Sequence, residues 1–540
     1  MADGGGFSPK NAPAVPEGDP QQTARPPQRD RIIEAVLAEG ATFWPDADGV
    51  AHVTLPARDG IGPRRFRVGG SDFRKVVRRL YAVSNPLSLP NGRVLPGSVS
   101  DSALNEALQA LEALAMDKPA REIGVRVYRD GETVCLDLDQ PNWSLVQVTP
   151  EGWRTIEGAD VPLLVPLLRP VAMRPLPTPS HGADASAALQ DLRKLLNLPV
   201  SSDRGLMLCT AWLVAALYPD GPFTVLALDG EQGCGKSTAC RVLRRLVDPN
   251  KADLRAPPHN EDDLIIAAKQ ARVIALDNVS AVEVAMADSL CRLATGSALS
   301  KRTLFTDGDE HIVEACRPIL LNGIPSLLGR GDLADRVLAI TLPVIRDVDR
   351  RTEAELWHSF DAAAPAILGM LLDGLSLALR TKDKLLLPMP RMADLARLAC
   401  AASPAFGWTA EAMLETIEQN RAEAVMAVIE ADPVAVAVVE LVGQEPWSGT
   451  GTELLEALGW LVPEAQQRER GYPKDATRLS GRLKRVASAL RRQGVDVSLP
   501  NAGGRAGRVI TIQVSTMAHQ RSERSERSER SGLDDGAGCL

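Results

Sequence analysis

Residues Phe223–Thr238 read FTVLALDGEQGCGKST, in which a short apolar run leads directly into a glycine-rich segment. The part from Gly230 to Ser237 fits the pattern G-x-x-x-x-G-K-[ST], which predicts a phosphate-binding loop between a strand and a helix. Glycines let backbone N–H groups turn toward a phosphate, and the helix directs its positive N-terminus at the same anion. The predicted nucleotide-binding residues are Gly230, Glu231, Gln232, Gly233, Cys234, Gly235, Lys236, Ser237 and Thr238. The alternative is an ordinary glycine-rich turn.

Two residues of this loop have further predicted roles in the chemistry. Lys236 supplies a cation for the β- and γ-phosphates, and Ser237 offers a hydroxyl ligand to Mg²⁺. A second apolar run, Val273–Leu276, ends in Asp277. A buried parallel strand with an acid at its end delivers a carboxylate to Mg²⁺ at the edge of the sheet. We therefore predict that Asp277 and Ser237 bind the metal, and the alternative is that Asp277 caps a helix expected near Val282.

Two more strand-like runs follow along the chain. Pro318–Leu321 ends in Asn322, and Val337–Leu342 begins directly after Arg336. The order of phosphate loop, strand-end acid, strand-end Asn and late Arg resembles the core of AAA+ ATPases. The resemblance is closest to superfamily 3 helicases, especially the poxvirus-type primase-helicases of phages and mobile elements, and it covers about residues 190–515.

The resemblance implies a fold, cofactors and partners. The fold would be an α/β P-loop ATPase core, the cofactors ATP and Mg²⁺, the partner DNA, and the assembly a hexameric ring. In such proteins Asn322 would orient water and Arg336 would reach the nucleotide of a neighbouring subunit. Arg330 is the alternative for that role, and a surface ion pair with Asp332 or Asp335 is the alternative for Arg336.

The chain departs from the family directly after the predicted metal-binding acid. The family usually has a second acid there to polarise the attacking water, whereas this chain has Asn278. The sequence therefore predicts nucleotide binding more directly than hydrolysis. Glu231 is either a substitute base or an ordinary exposed loop residue. The candidate catalytic residues are Lys236, Asp277, Asn278, Asn322 and Arg336.

A second departure concerns a β-hairpin that the relatives use to grip DNA with a basic tip. Here Thr295–Ser297 precedes a segment with a good hairpin-turn signal at Asp307-Gly308. The tip is acidic, since it contains Asp307, Asp309, Glu310 and His311. Lys301 and Arg302 lie lower on the hairpin and are either DNA contacts or an ordinary solvated pair.

Composition limits the class of protein. The 540 residues suggest about three domains plus tails, and 45% hydrophobic with 24% charged residues is an ordinary soluble composition. A net charge of −8 argues against general coating of nucleic acid, so DNA contacts are expected in a local patch.

The eight cysteines form no C-x-x-C pair, which predicts reduced thiols in the cytoplasm. The longest apolar run, near Leu206–Tyr218, is too short to span a bilayer, so we predict neither secretion nor membrane insertion.

Seven segments are predicted along the chain. They are a disordered tail (1–29), an α+β domain of unknown role (30–170), a proline-rich linker (171–183), the ATPase core with leading helices (184–348), a helical lid or collar (349–430), a winged-helix-like domain (431–515) and a low-complexity tail (516–540). Within the α+β domain, Asp137 and Asp139 resemble the metal-binding acids of archaeo-eukaryotic primases. Because aspartates before a turn are common and the nearest downstream His181 lies in the predicted linker, we predict no primase activity.

The strongest nucleic-acid signal lies near the C-terminus, where residues 468–508 contain eleven basic and three acidic residues. In a helix predicted from Asp475, four apolar residues at helical spacing form a core face, which leaves Arg478, Arg482 and Arg485 together on another face. A β-wing with Arg505 and Arg508 follows, and helix, helix, basic helix and wing is a winged-helix order. The alternative is a solvated basic helix that packs against its own protein.

The predicted function is an ATP-dependent DNA helicase or translocase of superfamily 3 type in phage or mobile-element replication. The alternative is a DNA-binding AAA+ ATPase that acts as a switch or loader with weak hydrolysis. A P-loop kinase of small molecules is disfavoured because it predicts neither the late Arg nor the basic C-terminal module.

Overall fold

The computed structural model describes residues 26–158, 166–279, 284–296, 299–302, 310–313, 315–323, 336–443, 445–469, 471–499 and 509–514. The tails predicted at 1–29 and 516–540 lie almost wholly outside these ranges. The chain forms two compact units: the first contains the residues up to Pro56 and Phe66–Arg121, and the second contains Ala57–Arg65 and everything from Glu122 onward.

The first unit is built from helices on a small antiparallel sheet. Its elements are α1 (Gln28–Leu37), β1 (Thr42–Pro45), β2 (Ala51–Leu55), β3 (Arg64–Arg67), α2 (Ser71–Ser84), β4 (Leu87–Ser88), β5 (Val94–Leu95) and α3 (Asp101–Met116). The first two residues of β3 are counted with the second unit. The strand order is β1-β2-β3. Val53, Phe73 and Leu104 are fully buried between the helices and the sheet, so the unit has an apolar core of its own.

The second unit begins with strands and continues as an α/β core. Its elements up to the end of that core are β6 (Gly124–Val125), β7 (Val127–Asp130), β8 (Thr133–Asp137), β9 (Leu145–Thr149), β10 (Gly152–Ile156), β11 (Leu167–Leu168), α4 (Ala185–Leu195), α5 (Arg204–Leu217), β12 (Val225–Asp229), α6 (Lys236–Val247), α7 (Glu261–Gln270), β13 (Ile274–Val279), α8 (Val284–Thr295), β14 (Leu299–Arg302), β15 (Glu310–Val313), β16 (Ile319–Gly323) and β17 (Val337–Thr341).

A four-stranded parallel sheet forms the centre of this core, in the order β13-β16-β12-β17. Its strands are the continuous apolar runs noted in the sequence, because strands covered on both faces need no polar alternation. The fold is therefore mixed α/β with a parallel sheet. Parallel strands place all their carboxyl ends at one edge, where α/β proteins usually bind ligands.

An antiparallel meander, β10-β9-β8-β7, shares the apolar core of the parallel sheet. Trp153 on β10 donates a hydrogen bond through Nε1 to Asp373 Oδ1 at 2.8 Å, and Ser376 Oγ donates to the Thr149 carbonyl at 2.6 Å. The boundary expected at residue 170 therefore differs from the structure: the chain from Glu122 onward belongs to the second unit, and only the part before it forms a separate unit.

The proline-rich stretch 171–183 also differs from the expected linker. Leu176 is buried and its N–H donates to the Leu138 carbonyl at 2.9 Å, and the Ser180 N–H donates to the Pro365 carbonyl at 2.9 Å. The His181 ring stacks on Trp153 at a centroid distance of 3.5 Å. The stretch packs along the core, and its prolines reflect an extended backbone with few ladder hydrogen bonds.

Helices follow the parallel sheet, in the region predicted as a lid or collar. They are α9 (Glu353–Thr381), α10 (Ala393–Ala402) and α11 (Ala410–Glu430), with short 3₁₀ turns at Asp347–Asp349, Lys382–Lys384 and Ser403–Phe406. A capping box between Thr352 and Glu355 starts α9. Among the described residues, one helix, α9, is long and apolar enough to cross a membrane. However, 61% of its most apolar window is buried within the protein, as in a core helix of a soluble protein.

The C-terminal part has its own apolar cluster. Its elements are α12 (Pro433–Val442), β18 (Trp447–Thr450), α13 (Gly451–Leu461), α14 (Glu464–Gln467), α15 (Ala476–Arg492), β19 (Val495–Ser498) and β20 (Val509–Val514). The strands form a sheet in the order β18-β20-β19. On α15 the four apolar residues at helical spacing, Leu479, Leu483, Val486 and Leu490, are all buried.

Candidate functional site

The glycine-rich loop lies between β12 and α6, at the carboxyl edge of the parallel sheet. Gly230, Gly233 and Gly235 have φ values of 141°, 85° and 83°, which residues with side chains rarely adopt. A Cβ atom at Gly230 would also lie 2.6 Å from the Leu342 carbonyl oxygen. Because Gly235 is the N-cap of α6, the loop leads into the positive end of a helix, which is the arrangement that suits a phosphate.

Lys236 folds back over this loop. Its Nζ donates to the Gly230 carbonyl at 2.5 Å and to the Glu231 carbonyl at 2.9 Å. The ammonium is thus held at the loop by two of its carbonyls, and there it would also meet the phosphate chain of a nucleotide. Glu231 and Gln232 are exposed and Cys234 is buried, while Thr238 lies in the first turn of α6. The residues therefore fit a nucleoside triphosphate.

Ser237, Asp277 and Asn322 come together beside the loop, although they are distant in sequence. Ser237 Oγ donates to Asp277 Oδ1 at 2.9 Å, and Asn322 Nδ2 donates to the same oxygen at 2.6 Å and lies 3.2 Å from Ser237 Oγ. The three residues lie at the start of α6 and at the carboxyl ends of β13 and β16. A hydroxyl and a carboxylate oxygen in contact are the hard ligands that Mg²⁺ prefers, so the pair fits the metal that accompanies a nucleotide.

Asn278 contributes to this cluster through its backbone. Its φ of 52° lies in the left-handed region, and its N–H donates to Asn322 Oδ1 at 2.6 Å. Beneath the cluster lies Cys240, whose thiol pKa is raised well above its usual range, mainly by burial and then by the Asp277 carboxylate. The thiol is therefore neutral, and it packs beneath the site as a buried side chain.

Two residues near the loop were missed by sequence reasoning. Asn197 Nδ2 donates to the Cys234 carbonyl at 3.2 Å and to the Pro343 carbonyl at 2.7 Å, so it ties the loop to the segment after β17. Arg350 lies close enough that a Cβ atom on Gly233 would be 3.7 Å from its Nη2. The left-handed φ of Asn197, 54°, fits an Asn directly after a helix, but its partners are distant in sequence and leave no local signal.

Arg336 lies at the opposite edge of the sheet from its own phosphate loop. It directly precedes β17, and its carbonyl accepts a hydrogen bond from the Val225 N–H, at the amino end of β12, at 2.9 Å. Arg336 lines a cleft there with Phe223, Thr295 and Arg391. Its predicted action on the nucleotide of a neighbour stays a prediction. The alternative residues Arg330, Asp332 and Asp335 lie outside the described residues.

The predicted hairpin corresponds to β14 and β15, which pair antiparallel with Lys301 opposite His311 and Arg302 opposite Glu310. The turn with Asp307 and Asp309 and the side chains of Lys301 and Arg302 lie outside the described residues. The DNA contacts predicted for this hairpin therefore stay predictions.

The basic face of α15 differs from expectation at one residue. Arg482 Nε donates to Asp432 Oδ2 at 2.6 Å, and Asp432 in turn accepts from the N–H groups of Val434 and Ala435 at the start of α12. Arg482 therefore links two helices because its acid partner is almost fully buried. Arg478 and Arg485 are exposed, as is Lys484, which was not singled out from the sequence. Arg505 and Arg508 lie outside the described residues.

The two aspartates that resemble primase acids bind an arginine. Asp137 accepts hydrogen bonds from Arg169 Nε at 2.9 Å and Nη2 at 2.6 Å, and Asp139 lies 3.5 Å from the same guanidinium. In the part of the chain that the structure describes, no group of three His, Cys, Asp or Glu side chains is arranged to hold a metal ion. The absence of primase activity from this domain stays a prediction.

Comparisons with known proteins give a family for most of this second unit. Residues 189–421 match the actinomycete integrative conjugative element replication protein, and residues 434–528 match the C-terminal domain of the same replication protein, RepA. No curated protein matches the chain. Among solved structures, an A-form apo structure of the NrS-1 C-terminal region covers 90% of this chain and 99% of its own, with 12% identity and a TM-score of 0.39. Another apo structure of that region covers 91% and 100%, with 13% identity and a TM-score of 0.36.

The two matched RepA domains follow each other in the chain and together span more than half of it. Their boundary, between residues 421 and 434, coincides with the end of α11 and the start of α12, where the second apolar cluster begins. The chain is therefore a replication protein of a mobile element, with the domains of the actinomycete integrative conjugative element RepA family.

Proposed function

We propose that this replication protein is an ATP-dependent DNA helicase or translocase of superfamily 3 type that works as a hexameric ring in the cytoplasm. The observation that carries the proposal is the contact of Ser237, Asp277 and Asn322 beside the glycine-rich loop. A phosphate loop, a metal-binding pair and an orienting amide at one sheet edge are what phosphoryl transfer from a nucleotide requires. ATP with Mg²⁺ is the proposed cofactor.

Each residue of the cluster has a definite task in this proposal. The loop N–H groups and Lys236 bind the phosphate chain and balance its charge, while Ser237 and Asp277 hold the metal. Mg²⁺, when bound, neutralises the charge that develops on the phosphate oxygens. Asn322 holds the Asp277 carboxylate in a fixed orientation through its Nδ2. An attacking water would be oriented from the same edge of the sheet.

DNA is the proposed partner of the C-terminal domain. The exposed side chains of Arg478, Lys484 and Arg485 lie on the outer face of α15, opposite the buried leucines. Helices of this kind bind phosphates through Arg and Lys and take their position on the duplex from those contacts. The overall charge of −8 restricts such binding to a local patch.

One observation favours a second candidate function. Asn278 stands where related ATPases have the second acid, and Asn278 is exposed at the edge of the site. A protein that binds ATP and DNA but hydrolyses slowly would act as a switch or a loader. The two candidates differ in one measurable property, because only a motor requires turnover that DNA stimulates.

The first test measures steady-state ATP turnover with and without single-stranded DNA. We expect DNA to stimulate turnover in the natural protein, and Lys236→Ala to lower it by on the order of a hundredfold or more through loss of phosphate stabilisation. Lys251→Ala, which removes an exposed Lys outside the site, is the matched control. Undiminished turnover in a folded Lys236→Ala protein would contradict the phosphate loop, whereas tight ATP binding without stimulated turnover would favour the switch.

A further inference from the structure

The carboxyl end of β13 contains a β-bulge directly at the metal-binding acid. Leu276 pairs with Leu321 and Val279 pairs with Gly323, so Asp277 and Asn278 together lie opposite the single residue Asn322. Bulges are rare in parallel sheets and are enriched beside active sites, where they redirect a side chain. On the other side of β13 the Asp277 N–H is held by the Arg255 carbonyl at 2.8 Å.

The bulge depends on an unusual backbone conformation of Asn278. Its φ of 52° is left-handed, a region in which Asn is enriched and β-branched residues are strained. This conformation aims the Asn278 N–H at Asn322 Oδ1, 2.6 Å away. No hydrogen bond of the Asn278 side chain is present within the described residues, so the backbone makes its contact with the site.

The Asn278 N–H fixes which way the Asn322 amide faces. An amide side chain has one accepting end and one donating end, and a backbone N–H only donates. With Oδ1 bound to that N–H, Nδ2 must face Asp277 Oδ1 and Ser237 Oγ, at 2.6 and 3.2 Å. The reverse orientation would turn an amide oxygen toward a carboxylate, which is repulsive. Asn322 is almost fully buried, so water cannot take over this function.

We propose that Asn278 is a positioning residue, which acts through its left-handed backbone to orient Asn322 and thereby the metal-binding carboxylate of Asp277. The proposal rests on the proposed nucleotide site. It explains why Asn stands at this position, because Asn adopts positive φ more readily than most residues that carry a side chain. The role belongs to the peptide N–H, and the side chain of Asn278 is dispensable for it.

The test compares substitutions that separate the backbone from the side chain. Asn278→Gly removes the side chain but favours positive φ, whereas Asn278→Val disfavours positive φ without introducing charge. We expect Asn278→Val to lower kcat by on the order of tenfold to a hundredfold, with nucleotide affinity less affected, and Asn278→Gly to lower kcat at least about tenfold less than Asn278→Val does. The reverse result, a large loss in Asn278→Gly with turnover retained in Asn278→Val, would overturn the proposal. Similar losses in both variants would overturn it also, because they would assign the role to the side chain.

A second measurement needs no nucleotide and separates this proposal from the proposed function. The Asn278 amide is expected to exchange slowly with deuterium in the natural protein, because Asn322 accepts its hydrogen bond. Asn322→Ala should speed that exchange by about tenfold or more, while Lys251→Ala, which lies outside the site, should leave it unchanged. Equal exchange in the natural protein and both variants would refute the hydrogen bond, even in a protein that binds ATP normally.

A double-mutant cycle completes the test. If Asn278 acts only through Asn322, then Asn278→Val should have little further effect on turnover in an Asn322→Ala background. Additive losses would show that the two residues act independently and would contradict the proposal. Should Asn278→Val fail to fold, the exchange measurement on Asn322→Ala still decides the question. Loss of nucleotide binding in the Lys236→Ala control concerns the proposed function alone.

Discussion

Neighbouring arginines on α15 have different partners, although one helical face was predicted for all of them. Arg482 pairs with Asp432, which is 7% exposed and also caps α12. Arg485 lies one turn away and is exposed, with no ion pair among the described residues. Helical periodicity predicts which residues share a face of a helix. It does not indicate where an acidic residue on another helix lies. The two arginines therefore have separable functions.

We predict that Arg482→Ala lowers the free energy of unfolding by about 1–3 kcal/mol, because it leaves a nearly buried carboxylate without its cation. It should leave the salt dependence of DNA binding unchanged. Thermal or urea denaturation of the C-terminal domain and DNA titrations at several salt concentrations measure the two effects. Arg485→Ala is the matched control, for which we expect a change in stability below about 0.5 kcal/mol.

A complementary prediction concerns the exposed basic residues on the same helix. Replacing Arg478, Lys484 and Arg485 together by Ala should remove about three phosphate contacts and reduce the slope of log K against log salt by roughly two to three. The melting temperature should stay close to that of the natural protein. If the slope is unchanged, this face is only solvated and the DNA patch lies elsewhere, for instance in the wing that contains Arg505 and Arg508.

Residues of the candidate nucleotide site were predictable in part. Ser237, Asp277 and Asn322 follow from apolar runs that end in polar residues, since parallel strands bring their carboxyl ends to one edge. The bulge at Asn278 was not predictable, because it depends on the register between β13 and β16. Asn197 was missed for a similar reason, as both of its carbonyl partners are distant in sequence.

At the scale of elements, the sequence indicated most strands and helices but misplaced two boundaries. Long apolar runs and helical periods identify an element wherever the local pattern is strong. The stretch 171–183 was interpreted as a linker from its prolines, yet Met173 and Leu176 are buried. The strand β18 was missed because Trp447–Thr450 is four residues long and contains a glycine. Packing between distant segments determines whether such stretches are buried or form strands, and no local sequence pattern reveals that packing.

The meander β7–β10 is the element whose removal tests the revised boundary. We predict that a chain starting at residue 184, as the supposed linker would suggest, fails to fold. It would lose Trp153 and Leu176 from the shared core and Arg126 from its buried ion pair with Asp248, in which the side chains are at most 1% exposed. An uncompensated buried carboxylate is costly. Solubility and a cooperative thermal transition by circular dichroism are the measurements.

A chain starting at residue 122 is the matched control for this truncation. It keeps the meander and loses only residues 57–65 of the second unit, so we expect it to remain soluble and to melt cooperatively. If the chain from residue 184 also melts cooperatively with similar stability, the meander is an accessory layer, and the original boundary near residue 170 is the better description of the domains.

At the scale of the whole molecule, the position of Arg336 restricts where it can act. It lies at the amino end of β17, whereas the phosphate loop lies at the carboxyl edge of the same sheet. The length of the strands therefore separates it from its own nucleotide site. A catalytic role for Arg336 requires a second copy of the chain, arranged head to tail so that the edge with Arg336 of one copy meets the loop of the next.

We predict that Arg336→Ala binds ATP nearly normally but hydrolyses it about 10³-fold or more slowly, since an arginine finger stabilises charge mainly in the transition state. Mixing this variant with Lys236→Ala subunits tests action between copies. In a randomly mixed ring, about a quarter of the interfaces would join an intact Lys236 to an intact Arg336, so turnover should recover toward about a quarter of the natural rate.

The control for this mixing experiment pairs Arg336→Ala with the double variant that carries both substitutions, because no interface in that mixture joins the two intact residues. Its turnover should stay at the level of the single variants, and ATP binding should be retained by the Arg336→Ala subunits in both mixtures. Recovery in the first mixture and not in the second would show that Arg336 acts on the nucleotide of its neighbour. Natural turnover by Arg336→Ala alone would instead assign it to a surface ion pair, whose loss costs at most about 1 kcal/mol, and the replication protein would then require another residue at its subunit interface.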